Sequence, residues 1–142
     1  MGAFVKKFVD NPAGVPAPPP GRYSHVSRVE IADTVTLTLA GQCAIGDDLS
    51  VVAPGDIVGQ TDRVFEIIGI LLAAHGATFA DITSTRTYLT DMDDRAAYAE
   101  TRAKYLPADA LPPSTVVEVS RLFLPDVVVE VEVVAVRELD RA

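Results

Sequence analysis

The sequence contains little cysteine or histidine, and it has no long apolar run. Its one cysteine, Cys43, cannot form an internal disulfide, which agrees with a reducing compartment. No apolar run approaches the roughly 20 residues of a membrane-spanning helix, and no apolar segment follows Lys6 and Lys7 to form a signal peptide. His25 and His75 lie far apart without a CxxC, HxxxH or Asp-rich loop beside them, so no metal site is expected. We therefore expect a cytoplasmic protein with no membrane or metal partner.

Positive charge is also scarce. Twelve Lys and Arg residues stand against 20 Asp and Glu residues, which gives a formal net charge of −8. A negative average field repels phosphate backbones, and no basic cluster interleaved with aromatic residues offers a local exception. Nucleic acid is therefore not an expected partner.

The most informative stretch is the valine-rich segment at residues 126–136. Read with a period of two, it places Glu130 and Glu132 among valines on one face. Acids on a mostly apolar face cost free energy unless each meets water, a donor or a ligand. We expect a central strand whose acidic face holds a ligand site or a subunit interface. The opposite face, which needs a covering layer of helices, carries Val127, Val129, Val131, Val133 and Ala135.

Periodicity and turn residues predict eight elements in one domain, residues 1–142. Their order is β-β-β-α-β-α-β-β, an α+β fold with a mixed sheet. Two helices cover one face of such a sheet and not both, so the other face, rich in Val and Thr, predicts a closed cyclic oligomer. The predicted strands are 4–9 at an edge, 23–30, 34–40, 82–89, 114–121 and 126–136, and the predicted helices are 54–75 and 91–105.

Six short motifs occur in order between Gly21 and Val136, namely Gly21-Arg-Tyr-Ser-His25, Ala40-Gly-Gln42, Gln60-Thr61, Tyr88-Leu-Thr-Asp-Met92, Val117-Glu-Val119 and Val129-Glu-Val-Glu-Val133. No single motif is specific. Together they resemble the RidA/YjgF family of reactive imine and enamine deaminases, formerly labelled endoribonuclease L-PSP. The resemblance implies a chorismate-mutase-like fold and a homotrimer with ligand clefts between neighbouring subunits.

The resemblance also implies site residues. By position, Glu130 matches the carboxylate that holds the attacking water, and it is the candidate catalytic residue. Tyr23 matches a tyrosine of the cleft, and Gly41 and Gln42 match a glycine-containing turn. Three further candidates come from the residues themselves. They are Cys43, which follows that turn, and the hydroxyls of Ser114 and Thr115, which could donate to a small anion.

The chain departs from the family at the arginine that clamps a substrate carboxylate, because Ser114 occupies that position. A neutral hydroxyl has neither the charge nor the two-pronged geometry of a guanidinium. Such a loss weakens binding of an amino-acid-derived imine by about tenfold to a hundredfold or more. Either another arginine substitutes, with Arg22, Arg86 and Arg121 as candidates, or the ligand differs. Three other departures are Ala40 for serine, Ala99 for asparagine and Val116 for cysteine.

Two functional hypotheses follow. In the first, a homotrimer binds a small, partly polar metabolite between subunits and hydrolyses an imine, enamine or related bond with the help of Glu130, without metal or organic cofactor. In the second, the protein is a binding or regulatory module that kept the trimer and lost the chemistry. Ribonuclease activity ranks below both, because the protein is acidic.

Overall fold

The computed structural model describes residues 4–140 and confirms the predicted α+β class. Two single-turn 3-10 helices, Phe79–Asp81 and Met92–Asp94, lie directly before a strand that begins at Ile82 and a helix that begins at Arg95. Within residues 4–140 the strands and α-helices are β1 (Val5–Asp10), β2 (Val26–Ile31), β3 (Thr34–Leu39), β4 (Gln42–Cys43), α1 (Ile57–Ala73), β5 (Ile82–Leu89), α2 (Arg95–Arg102), β6 (Ser114–Glu118) and β7 (Val129–Glu138).

The strands form one mixed sheet in the order β1-β2-β3-β7-β5-β6. Strand β7 is central, as predicted, and β1 lies at an edge, also as predicted. The short strand β4 pairs with the first part of β7, beyond the end of β3. The pair β5 and β6 is parallel and the other neighbours are antiparallel. The parallel pair follows from the long connection through α2, since a hairpin joins only antiparallel strands.

Helix α1 packs against the apolar face of β7, which the period-two pattern identified, and α2 packs against α1. Helix α1 contributes a stripe at three- and four-residue spacing, and α2 contributes Tyr98. The opposite face of β7 is only half-buried, and it carries Glu130 and Glu132. The buried members of the strand are Val129, Val131, Val133 and Ala135.

Helix α1 begins three residues later than predicted. Gly55 adopts a φ of +71°, and the Asp56 side chain caps the helix by accepting a hydrogen bond from the Val58 amide at 3.1 Å. The helix ends at Ala73, and Gly76 follows with a φ of +72°. Gly76 thus has the left-handed conformation expected of a residue that stops a helix.

Other boundaries also differ from the prediction, and β7 spans Val129–Glu138 rather than residues 126–136. Strand β2 begins at Val26 rather than at Tyr23, and β4 was missed because two residues give no visible alternation. Helix α2 begins after a 3-10 turn that Asp91 caps through the Asp93 amide at 2.9 Å. Strand β6 ends at Glu118, whose carboxylate turns to the amide of that 3-10 turn.

Candidate functional site

Glu130 lies on the half-buried face of β7, where three strands meet. Its backbone partners are Cys43 on β4 and Tyr88 on β5. Burial raises the pKa of Glu130, a hydrogen bond from the Cys43 thiol opposes that change, and the carboxylate of Glu132 adds to it. The pKa is raised overall, because removing a carboxylate from water favours its protonated form. A carboxyl group in this state is suited to exchanging protons with a bound water.

The main chain at Gly41 makes a very close approach to that carboxyl group. A Cβ atom on residue 41 would lie 2.9 Å from Cδ of Glu130 and 3.0 Å from Cγ, and it would overlap Oε1. Any side chain at this position would therefore displace the carboxylate. The site requires a residue without a side chain at position 41, because the space beside the Cα of Gly41 is occupied by Glu130.

Replacing Gly41 with alanine is expected to move the Glu130 carboxylate while leaving the fold intact. The clash falls on the flexible end of a side chain rather than on the main chain. A displacement of about 1 Å at a reacting group costs on the order of 100-fold in rate. For the imine hydrolysis expected from the sequence, the measurement is ammonia release, together with the thermal unfolding midpoint. The same substitution in a Glu130→Gln background should cost no further activity, and an additive loss would contradict this explanation.

Tyr23 and Cys43 complete the group around Glu130. Tyr23 is 54% exposed, and its pKa is raised by partial burial and then by the charges of Cys43 and Glu130. The pKa of Cys43 is raised strongly, first by burial and then by the charge and the hydrogen bond of Glu130. The thiol is therefore protonated at neutral pH and acts as a donor, not as a nucleophile.

Gln42 points away from this group. It is buried, and its side-chain amide donates to the carbonyl oxygen of Ala40 at 3.0 Å and to Nδ1 of His25 at 3.2 Å. Nε2 of His25 lies 2.7 Å from the carbonyl oxygen of Pro16, so that nitrogen carries the proton. Gln42 thus stabilises the turn that positions Gly41, and its side-chain amide nitrogen donates within the fold rather than to a ligand.

Ser114 and Thr115 lie further along the sheet than Glu130. They are level with Thr85 and Arg86 of β5, whereas Glu130 is level with Tyr88. Thr115 lines a cavity of about 170 Å³ together with Arg86. Ser114 lines a different cavity, beside helix α2. In a single chain, then, four of the seven candidate residues form the Glu130 group, namely Glu130, Tyr23, Gly41 and Cys43. Gln42 is turned away from that group, and Ser114 and Thr115 lie at two separate positions on β6.

Glu132 is satisfied by its neighbours. The hydroxyl of Tyr88 donates to Oε1 of Glu132 at 2.6 Å, and Nη1 of Arg86 lies 3.6 Å from the same oxygen. Glu132 thus has a hydrogen-bond donor and an ion-pair partner within the chain, which favours a structural role over a role in ligand binding. These contacts also engage Arg86, one of the three candidate replacements for the absent arginine.

The family model described as endoribonuclease L-PSP matches residues 15–137. The chain belongs to this family, known also as RidA/YjgF. A RutC family protein of Pyrococcus horikoshii is 38% identical over 102 residues, which cover 72% of this chain and 79% of that protein. Protein DfrA of Myxococcus xanthus is 33% identical over 102 residues, which cover 72% of this chain and 76% of that protein.

Solved structures of RidA/YjgF proteins share the fold. A Rid family protein of Yersinia pestis superposes with a TM-score of 0.80 at 28% identity, covering 92% of this chain and 98% of that one. RidA from an Antarctic Psychrobacter species superposes with a TM-score of 0.71 at 26% identity, covering 84% of this chain and 92% of that one. The predicted family and fold are thereby confirmed.

Sequence reasoning missed one arginine of this RidA/YjgF chain. Nη1 of Arg102, on helix α2, donates a hydrogen bond to the hydroxyl of Ser114 at 2.7 Å. The three candidates named from the sequence were Arg22, Arg86 and Arg121, and none of them has a described side-chain contact with Ser114. The available signal was spacing, because residue 102 follows Ala99 by three positions and so shares its side of the helix.

Residues 4–140 contain no group of three or more His, Cys, Asp or Glu side chains that could hold a metal ion. No helix in that range is long and apolar enough to cross a bilayer.

Proposed function

We propose that residues 1–142 form a single RidA-like domain that assembles as a homotrimer and binds a small metabolite between subunits. In each cleft, a water held by Glu130 hydrolyses an imine, enamine or related bond. The observation that carries this proposal is the half-buried Glu130 carboxyl group, with its raised pKa, on the uncovered face of the central strand. Membership of the RidA/YjgF family supports it.

The reaction needs one water and one group that moves its protons. Glu130 accepts a proton from water as the water oxygen bonds to the imine carbon, and the C=N double bond becomes a single bond. The carboxyl group then delivers that proton to nitrogen, which gives a carbinolamine. Glu130 next takes the proton of the new hydroxyl group and passes it to nitrogen as the C=O double bond forms and the C–N bond breaks, so a carbonyl compound and ammonia leave. The raised pKa of Glu130 favours the transfers to nitrogen. The Cys43 thiol and the close main chain at Gly41 keep the carboxyl group in position.

The trimer is supported by the side of the sheet that the helices leave uncovered. On β7 this side carries two half-buried valines, Val134 and Val136, and a monomer would leave it in contact with water. Closed cyclic assembly is the usual way in which copies of one chain bury such a face. The cytoplasm is the proposed location, where the free thiol of Cys43 stays reduced.

A second candidate function is a binding or regulatory module without catalysis. It is favoured by Ser114, which stands where the family's deaminases have a carboxylate-clamping arginine. In that case the cleft would bind its ligand and the Glu130 group would serve only to orient it.

Purified protein offered 2-iminopropanoate, generated in situ, separates the two functions. We expect ammonia release well above the rate in buffer, and sedimentation at three times the 15.1 kDa mass of the chain. A flat trace across several imines from an intact trimer would favour the binding module. A stable monomer at micromolar concentration would remove the inter-subunit cleft from both.

A further inference from the structure

A cavity of about 410 Å³ lies between helix α2 and the start of β6, at a distance along the sheet from Glu130. Two of its lining side chains are arginines, and among the described residues that line it there is no Asp or Glu. On a protein of net charge −8, this concentration of positive charge is a local exception. The lining residues are Arg95, Ala96, Tyr98, Ala99, Arg102, Ser114 and Val116.

Arg102 is held in this cavity by two contacts. Nη1 donates to the Ser114 hydroxyl at 2.7 Å, and the guanidinium carbon lies 5.6 Å from the centre of the Tyr98 ring. Tyr98 is itself fixed, because it is 1% exposed and its hydroxyl lies 2.6 Å from Oγ1 of Thr87. A guanidinium has five N–H donors, so most of those on Arg102 remain available to a ligand. Because the group is already oriented, binding costs little conformational entropy.

Arg95 and Arg102 also differ in their partners from four other arginines of this chain. Those four each lie within 4.0 Å of a carboxylate, and they are Arg28, Arg63, Arg86 and Arg137. Within residues 4–140, Arg95 and Arg102 have no carboxylate at that distance. Their charge is therefore not neutralised by the chain and is available to an anion.

We propose that this cavity binds the carboxylate of a small organic acid, with Arg102 as the charged donor. This inference rests on the proposed function only where it identifies that acid as the substrate. Ser114 orients the guanidinium. Ala96, Ala99 and Val116 supply an apolar wall for the hydrocarbon part of the acid. Ser114 on β6 lacks the positive charge of the family's arginine, and Arg102 on α2 thus supplies a positive charge next to the Ser114 hydroxyl. One oriented guanidinium beside an apolar wall suits a singly charged carboxylate better than a phosphate, which would need further donors.

Titration with pyruvate, followed by calorimetry and by amide NMR shifts, tests this site directly. We expect wild-type protein to bind pyruvate, Arg102→Gln to bind it about tenfold to a hundredfold more weakly, and Arg102→Lys to recover part of the loss. Arg121→Gln removes the same charge outside the cavity and should bind like wild type. The amide spectrum shows whether each variant is folded. If Arg102→Gln is not folded, pyruvate binding by Arg102→Lys, which keeps the charge, tests the site instead.

Four outcomes would overturn the assignment. They are no pyruvate binding by wild-type protein at millimolar concentration, equal binding by Arg102→Gln, loss of binding in Arg121→Gln instead, and inorganic phosphate binding as tightly as pyruvate. Ammonia release from 2-iminopropanoate is measured on the same preparations. Pyruvate binding that depends on Arg102, without ammonia release from any imine, would uphold the anion site while the proposed hydrolysis failed.

Discussion

Glu130→Gln is expected to lower the rate of ammonia release by about 100-fold or more. The amide has the size of the carboxylate but cannot accept a proton from the attacking water, and a positioned general base contributes on the order of 10² to 10⁴ in rate. Turnover is measured with 2-iminopropanoate at saturating concentration. The wild-type rate should rise with pH through the pKa of Glu130, and this limb should lie above the ordinary value of 4.5, because burial raises that pKa. The limb should be absent from the variant.

The same substitution should not lower stability. Because the pKa of Glu130 is raised in the folded protein, the folded state favours the protonated form more than the unfolded state does. Any stability that this preference contributes is present below the unfolded pKa and is lost as pH rises through the folded pKa. Above the folded pKa the ionised carboxylate is therefore a cost, and a neutral amide removes it. We expect a thermal midpoint at pH 7 equal to or above that of wild type.

Glu132→Gln is the matched control, since it removes the neighbouring carboxylate from the same face. Glu132 is engaged by Tyr88 and Arg86, so its loss should change turnover far less than the loss of Glu130. It should also move the acid limb to lower pH, because the charge of Glu132 raises the pKa of Glu130. Unchanged turnover in Glu130→Gln would remove that residue from the mechanism.

The sequence predicts the central strand well because its signal is local. The alternation over residues 126–136 places the buried valines and Glu130 on opposite faces, and the structure has both. The end of α1 is also predictable, because Gly76 takes a left-handed conformation that other residues adopt at a cost. A period of two or of 3.6 residues, or a single special residue, is sufficient for such features.

Contacts between distant elements were not predictable in this way. Position alone grouped Gln42 with the ligand contacts, whereas its amide is turned to His25 and Ala40. Arg102 and Ser114 are 12 residues apart on different elements, and their hydrogen bond depends on where α2 lies over the sheet. The family motif does not predict this hydrogen bond, because the motif lies on strand β6 and the arginine lies on helix α2.

Gln60 is a further residue whose role only the fold reveals, and its replacement by leucine is expected to cost about 3 kcal/mol or more of unfolding free energy. The side chain is fully buried in α1. Its amide nitrogen donates to the carbonyl oxygens of Ala53 at 3.1 Å and Asp126 at 2.6 Å, and its oxygen accepts from the Val128 amide at 2.9 Å. Leucine leaves three main-chain groups without these partners, at about 1 to 3 kcal/mol for each one that stays buried.

Urea unfolding at a fixed protein concentration measures this loss, since assembly would otherwise shift the midpoint. Glu66→Leu, on the exposed side of the same helix, is the control and should change stability by no more than about 0.5 kcal/mol. A loss below about 1 kcal/mol in Gln60→Leu would mean that water or a shifted main chain replaces the three bonds. Asp126, with a φ of 68°, and Val128 set the start of β7. The same substitution should therefore disturb Glu130, two residues further on, and reduce turnover in the fraction of protein that remains folded.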